Sequence, residues 1–140
     1  MEVISRDRKV FTLSRYNDYV FSNDYGTLIR SSYTERTSLP VENKVISIKV
    51  SKNSLIALKY DNGIEFIEIH IDSLKKRTLV TSSELEHLFE KAETAYSDCV
   101  MDFEYHEGKL VCIFKEENRR FLAKINLVTS ETEILAEWTF

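Results

Sequence analysis

Apolar and polar residues alternate with a period of two along most of this chain, in short runs separated by turn-forming residues, and that pattern predicts strands. Ile46, Ile48 and Val50 alternate with Ser47 and Lys49, Ile56, Leu58 and Tyr60 follow, and Ile67, Ile69 and Ile71 alternate with Glu68, His70 and Asp72. Between the last two runs, Asp61-Asn62-Gly63 predicts a tight hairpin, because Asn and Gly tolerate positive φ at low cost. Met101, Phe103 and Tyr105 open a further set, which turns at His106-Glu107-Gly108 and continues through 110–114 and through Phe121, Ala123, Ile125 and Leu127. Ile134, Ala136, Trp138 and Phe140 form the final alternating set, and a terminus this apolar is expected to dock as a strand. Toward the N-terminus, 9–13, 19–22 and 27–33 read as a three-stranded meander divided at Asn17-Asp18 and 23–26, with Pro40 closing it and 41–44 as connector.

These runs repeat. Sliding residues 100–135 back by 55 positions pairs Val100 with Val45, Phe103 with Ile48, Leu110 with Leu55 and Phe121 with Phe66; one inserted residue then brings Ile125-Asn126-Leu127 onto Ile69-His70-Ile71. A fainter copy at 9–39 places Tyr19-Val20 on Leu55-Ile56. The expected units are about 8–40, 44–80 and 99–138. With motifs such as Phe66-Ile67-Glu68-Ile69-His70-Ile71-Asp72, they resemble the blades of a β-propeller in pattern. A closed ring needs at least about four blades of roughly 40 residues. Three units therefore imply a mainly β single domain of two or three antiparallel meanders, as a curved sheet, a sandwich or an open propeller-like array, with a meandering sheet or sandwich favoured. One departure from period two interrupts them. Ser83 followed by Glu86 has capping-box spacing, and Leu85, Leu88, Phe89, Ala92 and Tyr96 recur at helical intervals, predicting an amphipathic helix over 83–96 that packs on a sheet or plugs its end.

Composition narrows the function more than the fold. No stretch of the sequence is long and apolar enough for a membrane span, and Arg6, Asp7 and Arg8 stand where a signal peptide would need apolar residues, so a cytoplasmic protein is expected. Only Cys99 and Cys112 are present, which is too few for a structural zinc site; free buried thiols are expected, with a single bridge as the alternative. Residues 1–80 carry 13 basic and 10 acidic side chains and residues 81–140 carry 6 and 13, so the two parts stand at +3 and −7. The acidic part disfavours nucleic acid and favours a basic protein partner.

Candidate chemistry is sparse. There is no Gly-x-Ser-x-Gly elbow, no Cys/His signature and no glycine-rich phosphate loop, and the chain holds three glycines in all. Glu68, His70 and Asp72 would share one strand face and could hold a metal or an acid–base pair; a solvated strand face is the simpler reading, as are surface positions for His87 and His106. Tyr16, Tyr19, Phe21, Tyr25, Arg30 and Tyr33 interleave aromatics with a cation as base-stacking surfaces do, yet aromatics are also ordinary strand residues. The acidic set Asp102, Glu104, Glu107, Glu116, Glu117, Glu131, Glu133 and Glu137 is the candidate partner-binding surface. The leading expectation is a small protein-binding protein without catalysis, cofactor or metal, most concretely an inhibitor or immunity-type protein that neutralises a basic toxin such as a nuclease. The alternatives are a structural repeat protein acting through homo-oligomerisation and a metal-dependent enzyme built on Glu68, His70 and Asp72.

Overall fold

The computed structural model describes residues 8–12, as backbone, and 19–139. Twelve strands form three separate four-stranded antiparallel meanders in chain order. The first holds β1 (Arg8–Thr12), β2 (Tyr19–Asp24), β3 (Thr27–Ser32) and β4 (Thr37–Glu42). The second holds β5 (Val45–Ser51), β6 (Ser54–Tyr60), β7 (Ile64–His70) and β8 (Lys76–Thr81). The third holds β9 (Val100–His106), β10 (Lys109–Glu116), β11 (Arg119–Asn126) and β12 (Thr132–Thr139). Of the arrangements expected, this is the open propeller-like array; the favoured single sheet or sandwich is not formed. The reason lies in the second sheet, which is covered on both faces.

Leu55, Ala57, Ile67 and Ile69 pack with Phe21, Leu28 and Val41 of the first sheet, whereas Ile56, Leu58, Phe66 and Val80 pack with Phe103, Leu110, Cys112 and Phe121 of the third. A strand buried on both faces loses its alternation, and 55–58 accordingly read Leu-Ile-Ala-Leu, all buried. Each large side chain so enclosed contributes on the order of 2 kcal/mol from the removal of apolar surface from water. Edge-to-face ring contacts add orientation: Phe66 meets Phe103 at 5.1 Å, and Phe89 meets Phe114 and Phe121, each at 5.3 Å. Between the first two sheets, Arg30 lies 4.3 Å over the Tyr19 ring and donates to the carbonyls of Ile71 and Asp72, while Asn23 Nδ2 donates to the Val45 carbonyl.

Hairpin chemistry follows the sequence. The Asp61-Asn62-Gly63 turn is present, with Asp61 N–H donating to the Gly63 carbonyl, and Tyr25-Gly26 and Glu107-Gly108 place two successive residues at positive φ, the geometry that matches strand twist. Three expectations about the strands are corrected. The first unit has a fourth strand, β4, which contains Pro40; proline is tolerated there because β4 is an outer strand and its ladder slips beside Pro40. The inserted residue of the second repeat lies in the hairpin turn itself, where Asn62 corresponds to Glu117-Asn118, so Phe66 matches Leu122 and not Phe121. Tyr19 and Phe21 point at the following sheet, as Ile56 and Leu58 do, so the faint N-terminal alignment is off by one residue and on the wrong face.

The helical segment is present but broken. It begins as α1 (Ser82–Leu85), continues as a 3-10 turn (Glu86–Leu88), becomes extended at Phe89 and ends in a second 3-10 turn (Ala92–Tyr96). Its N-terminal cap sits two residues earlier than expected, with Glu84 accepting from Thr81 N–H at 3.0 Å. The break turns Phe89 between Phe114 and Phe121, which a continuous helix would not do. Leu85, Leu88, Phe89 and Ala95 are buried, whereas Ala92 and Tyr96 of the expected stripe are exposed. The segment fills the gap between the second and third sheets at one end. Asn17-Asp18, Tyr16 and Phe140 lie outside the described residues.

Candidate functional site

The third sheet has one covered face and one open face, and register decides which residues stand on each. Val111 pairs with Lys124, Ile113 with Leu122, Leu122 with Ala136, and Arg120 with Trp138. Residues opposite each other in an antiparallel ladder share a face, so these stand together, opposite to Leu110, Cys112, Phe121 and Ala123. Matching the hairpins of the two sheets through Ala57–Ile67 and Cys112–Ala123 puts Val111 on Ile56, Ile113 on Leu58, Leu122 on Phe66 and Ala136 on Val80. In the second sheet those four are buried against the third. In the third they face away from it. Val111, Ile113 and Leu122 are half-buried and Ala136 is exposed, while Trp138 is 41% exposed. Met101 and Leu135, at irregularities of β9 and β12, are 52% and 46% exposed. An apolar band thus crosses the third sheet with no chain over it among the described residues.

The expected acidic surface is not brought together. Glu116 is corrected outright: it is 4% exposed, and its carboxylate accepts from the N–H groups of Glu90 and Lys91 (both 2.9 Å), Thr94 Oγ1 (2.8 Å) and Arg119 (3.1 Å). Burial alone would push its carboxyl up, but the two backbone N–H groups, with Thr94 and Arg119, hold it below the usual carboxylate range. It is a structural residue that sets the break in the helical segment. Glu107 and Glu131 occupy neighbouring turns at one end of the sheet, joined by the Leu127 N–H bond to the Gly108 carbonyl, and Glu117 sits at the opposite end. Asp102 and Glu104 share Lys49 at 3.5 and 3.6 Å, Glu117 pairs with Lys91 (3.0 Å), Glu133 with Lys124 (3.4 Å) and Glu137 with Arg119 (3.0 Å). Most of the acidic charge is therefore answered within the chain, which weakens its long-range field.

The Glu68, His70 and Asp72 triplet is also rearranged. β7 ends at His70 and Asp72 falls in the following turn, so the three do not share a strand face. Glu68 accepts from Arg77 at 2.6 Å, and His70 Nδ1 accepts from Ser73 N–H at 3.2 Å. Among the described residues no group of three His, Cys, Asp or Glu is placed to hold a metal ion. Cys99 and Cys112 are free and buried as expected; burial pushes the Cys99 thiol up to about 12 and the Cys112 thiol higher still, so neither is a thiolate at neutral pH. In the aromatic set, Tyr19 and Arg30 stack on each other and Phe21 is buried, leaving Tyr25 and Tyr33 exposed. The open face was missed. Its signal was the unbroken apolar run 110–114, which alternation with one wet face does not explain.

No protein family model matches this chain, and no curated protein matches it by sequence. Solved structures do match by shape. The chain is similar to the protein solved as a nidogen/laminin complex (TM-score 0.57, 10% identity, covering 94% of this chain and 49% of that one). It is similar to the β-propeller domain of the trilobed protease from Pyrococcus furiosus (TM-score 0.51, 8% identity, 99% and 45%). It is also similar to the S. cerevisiae structure of dbp5 bound to nup159 and gle1 (TM-score 0.50, 15% identity, 94% and 30%). The chain spans less than half the length of each. Identities this low carry the fold alone: the three sheets are β-propeller-type blades, arranged here as an array that does not close.

Proposed function

We propose that this chain acts by binding another protein, without chemistry of its own, and that the open face of the third blade is where the partner sits. One observation carries the reading. The positions that bury Ile56, Leu58 and Phe66 between blades two and three recur as Val111, Ile113 and Leu122 on a face that nothing described covers. The partner's matching surface is an apolar sheet face of the kind blade three itself turns toward blade two, with branched and small side chains like Leu110, Cys112, Ala123 and Ile125. In its most concrete form the partner is a basic toxin such as a nuclease and the chain its inhibitor, with the net −7 of residues 81–140 supplying the steering charge that the internal ion pairs leave. Two of the similar structures are themselves complexes with other proteins, which is in keeping with a binding role but does not carry it.

The test uses Leu122→Lys with a photo-crosslinking residue at position 113. The chain is immobilised, and proteins retained from its source cell are identified before and after substitution. A partner crosslinked from position 113, lost with Leu122→Lys and kept with Thr37→Lys on exposed β4, is the expected result. Binding that survives Leu122→Lys would sink the proposal. Leu122→Lys is expected to stay within about 1 kcal/mol of wild type, as surface changes do, whereas Phe66→Lys at the matching buried position unfolds the chain by more than about 4 kcal/mol.

A further inference from the structure

Blades splay apart from their inner to their outer strands, and the gap between blades two and three is treated differently at its two ends. At one end the segment from Ser82 to Tyr96 fills it. At the other it stays open, as two adjoining concave spaces of about 510 and 340 Å³ that share Ser54, Glu68 and His70. The larger is bounded by Lys75, Lys76 and Arg77 on the outer turn of blade two, and the smaller by Lys52 from one side and by Tyr105 and Glu107 of blade three from the other.

Donors dominate this groove. Arg77 is engaged by Glu68, and Lys76 reaches the Val41 carbonyl (2.6 Å) and Glu42 (3.4 Å). Lys52 and Lys75 have no ion-pair partner among the described residues, and both are exposed. His70 receives a hydrogen bond on Nδ1, which fixes the neutral ring as its Nε2–H tautomer and leaves that N–H as a donor. Ser54, half-buried on the same wall, adds a hydroxyl. Tyr105, also half-buried and packed against the core, gives the groove an apolar side. In a chain of net charge −4 this is a local excess of cations over the two acids that line it.

We propose that this groove binds an acidic peptide segment, seating a carboxylate or phosphate group against Lys52, Lys75 and the His70 Nε2–H, with a neighbouring apolar residue against Tyr105. A continuous nucleic-acid backbone fits the same surface poorly, because its evenly spaced phosphates would meet Glu68 and Glu107, whereas a peptide can place one anion among the donors and uncharged residues beside the acids. The site lies on the covered side of blade three and is independent of its open face.

The experiment titrates the full chain with a fluorescein-labelled hexapeptide bearing two central Glu residues next to a Leu, with its Gln counterpart, and with inorganic phosphate, followed by anisotropy and by backbone amide shifts. The acidic peptide is expected to shift Ser54, His70, Lys75 and Tyr105, and the Gln peptide to leave them in place. Lys52→Glu with Lys75→Glu should weaken binding about tenfold or more, whereas Lys44→Glu, at a lysine paired with Asp61, should not. Displacement of the peptide by inorganic phosphate assigns the seat to a phosphate group, and failure to displace it assigns it to carboxylates. Shifts spread evenly over the lysines, equal loss with Lys44→Glu, or no acidic-peptide binding at millimolar concentration would overturn the proposal.

Discussion

Glu116→Ala is the substitution on which the account of the inter-blade filler depends most directly. The carboxylate collects four donors within 2.8 to 3.1 Å, two of them backbone N–H groups of the extended stretch that turns Phe89 inward. Hydrogen bonds to a charged group are worth about 1.5 to 3 kcal/mol each, and stranded partners cost about 1 to 3 kcal/mol each where water cannot replace the acceptor. Glu90 and Lys91 are exposed, so water recovers part of the loss, and the net effect is about 3 to 5 kcal/mol. At roughly 3 °C per kcal/mol for a chain of this size, that lowers Tm by about 9 to 15 °C. Glu116→Gln keeps one carbonyl acceptor and the shape, and should cost about half as much. Calorimetry and urea titration measure the loss, and hydrogen exchange at the Glu90 and Lys91 amides locates it. The group's folded pKa is depressed, so its contribution is complete at neutral pH and fades as pH falls below the ordinary glutamate range toward the lower folded value. The Gln variant should lose that part of the acid sensitivity. A loss under about 1 kcal/mol for Glu116→Ala, or unchanged amide protection, would refute the reasoning.

Two further outcomes are expected. Gly63→Ala places a Cβ 3.0 Å from Ser82 Oγ and 3.2 Å from Tyr96 Cδ1, where Ser82 already bonds both Ile64 backbone groups and the Ala95 carbonyl, so the hairpin and filler must shift; a loss of about 1 to 3 kcal/mol in urea unfolding checks it, and a neutral result would deny the tight contact. Cys99 and Cys112 should resist a thiol reagent at neutral pH in the folded state and react fully in denaturant, because their thiolates are suppressed by burial; rapid native labelling of either would contradict their placement.

Strand identity was legible because turn chemistry and alternation agree along most of the chain. Asn62-Gly63 and Glu107-Gly108 turn where the sequence says they should, and Trp138 lies in a paired strand. Two kinds of information were not local. Pro40 reads as a terminator unless the strand beside it is known to be an outer one, which is a property of the sheet. The helix over 83–96 fails for a similar reason: its periodicity is real, but Glu116, distant in sequence, captures the N–H groups of Glu90 and Lys91, and Phe89 gains more between Phe114 and Phe121 than along a helical stripe. Among the candidate site residues, composition gave Glu116 a surface role because glutamate is rarely buried, and only its partners reveal why it is buried here.

The described blades present two outward faces, and the two differ. On the first blade the side facing away from blade two carries Ser22, Ser31 and Ser38 beside Val20 and Ile29, and the Ser31 and Ser38 hydroxyls bond each other at 2.8 Å. At the positions of Val20 and Ser31 blades two and three have Ala57 and Ile67, and Cys112 and Ala123, so the difference lies at Ser31 and its neighbour Ser38. A second copy closing a ring would have to bring that hydroxyl-bearing face against Ile113 and Leu122, stripping water from serines in exchange for no new hydrogen bond. With a bonded serine pair among the apolar residues of one outward face and an apolar band across the other, the array is directional, and the asymmetry favours a different protein over a second copy as the occupant of blade three. A chain that stays monomeric at high concentration, yet loses its partner when Leu122 becomes lysine, is the behaviour this argument requires.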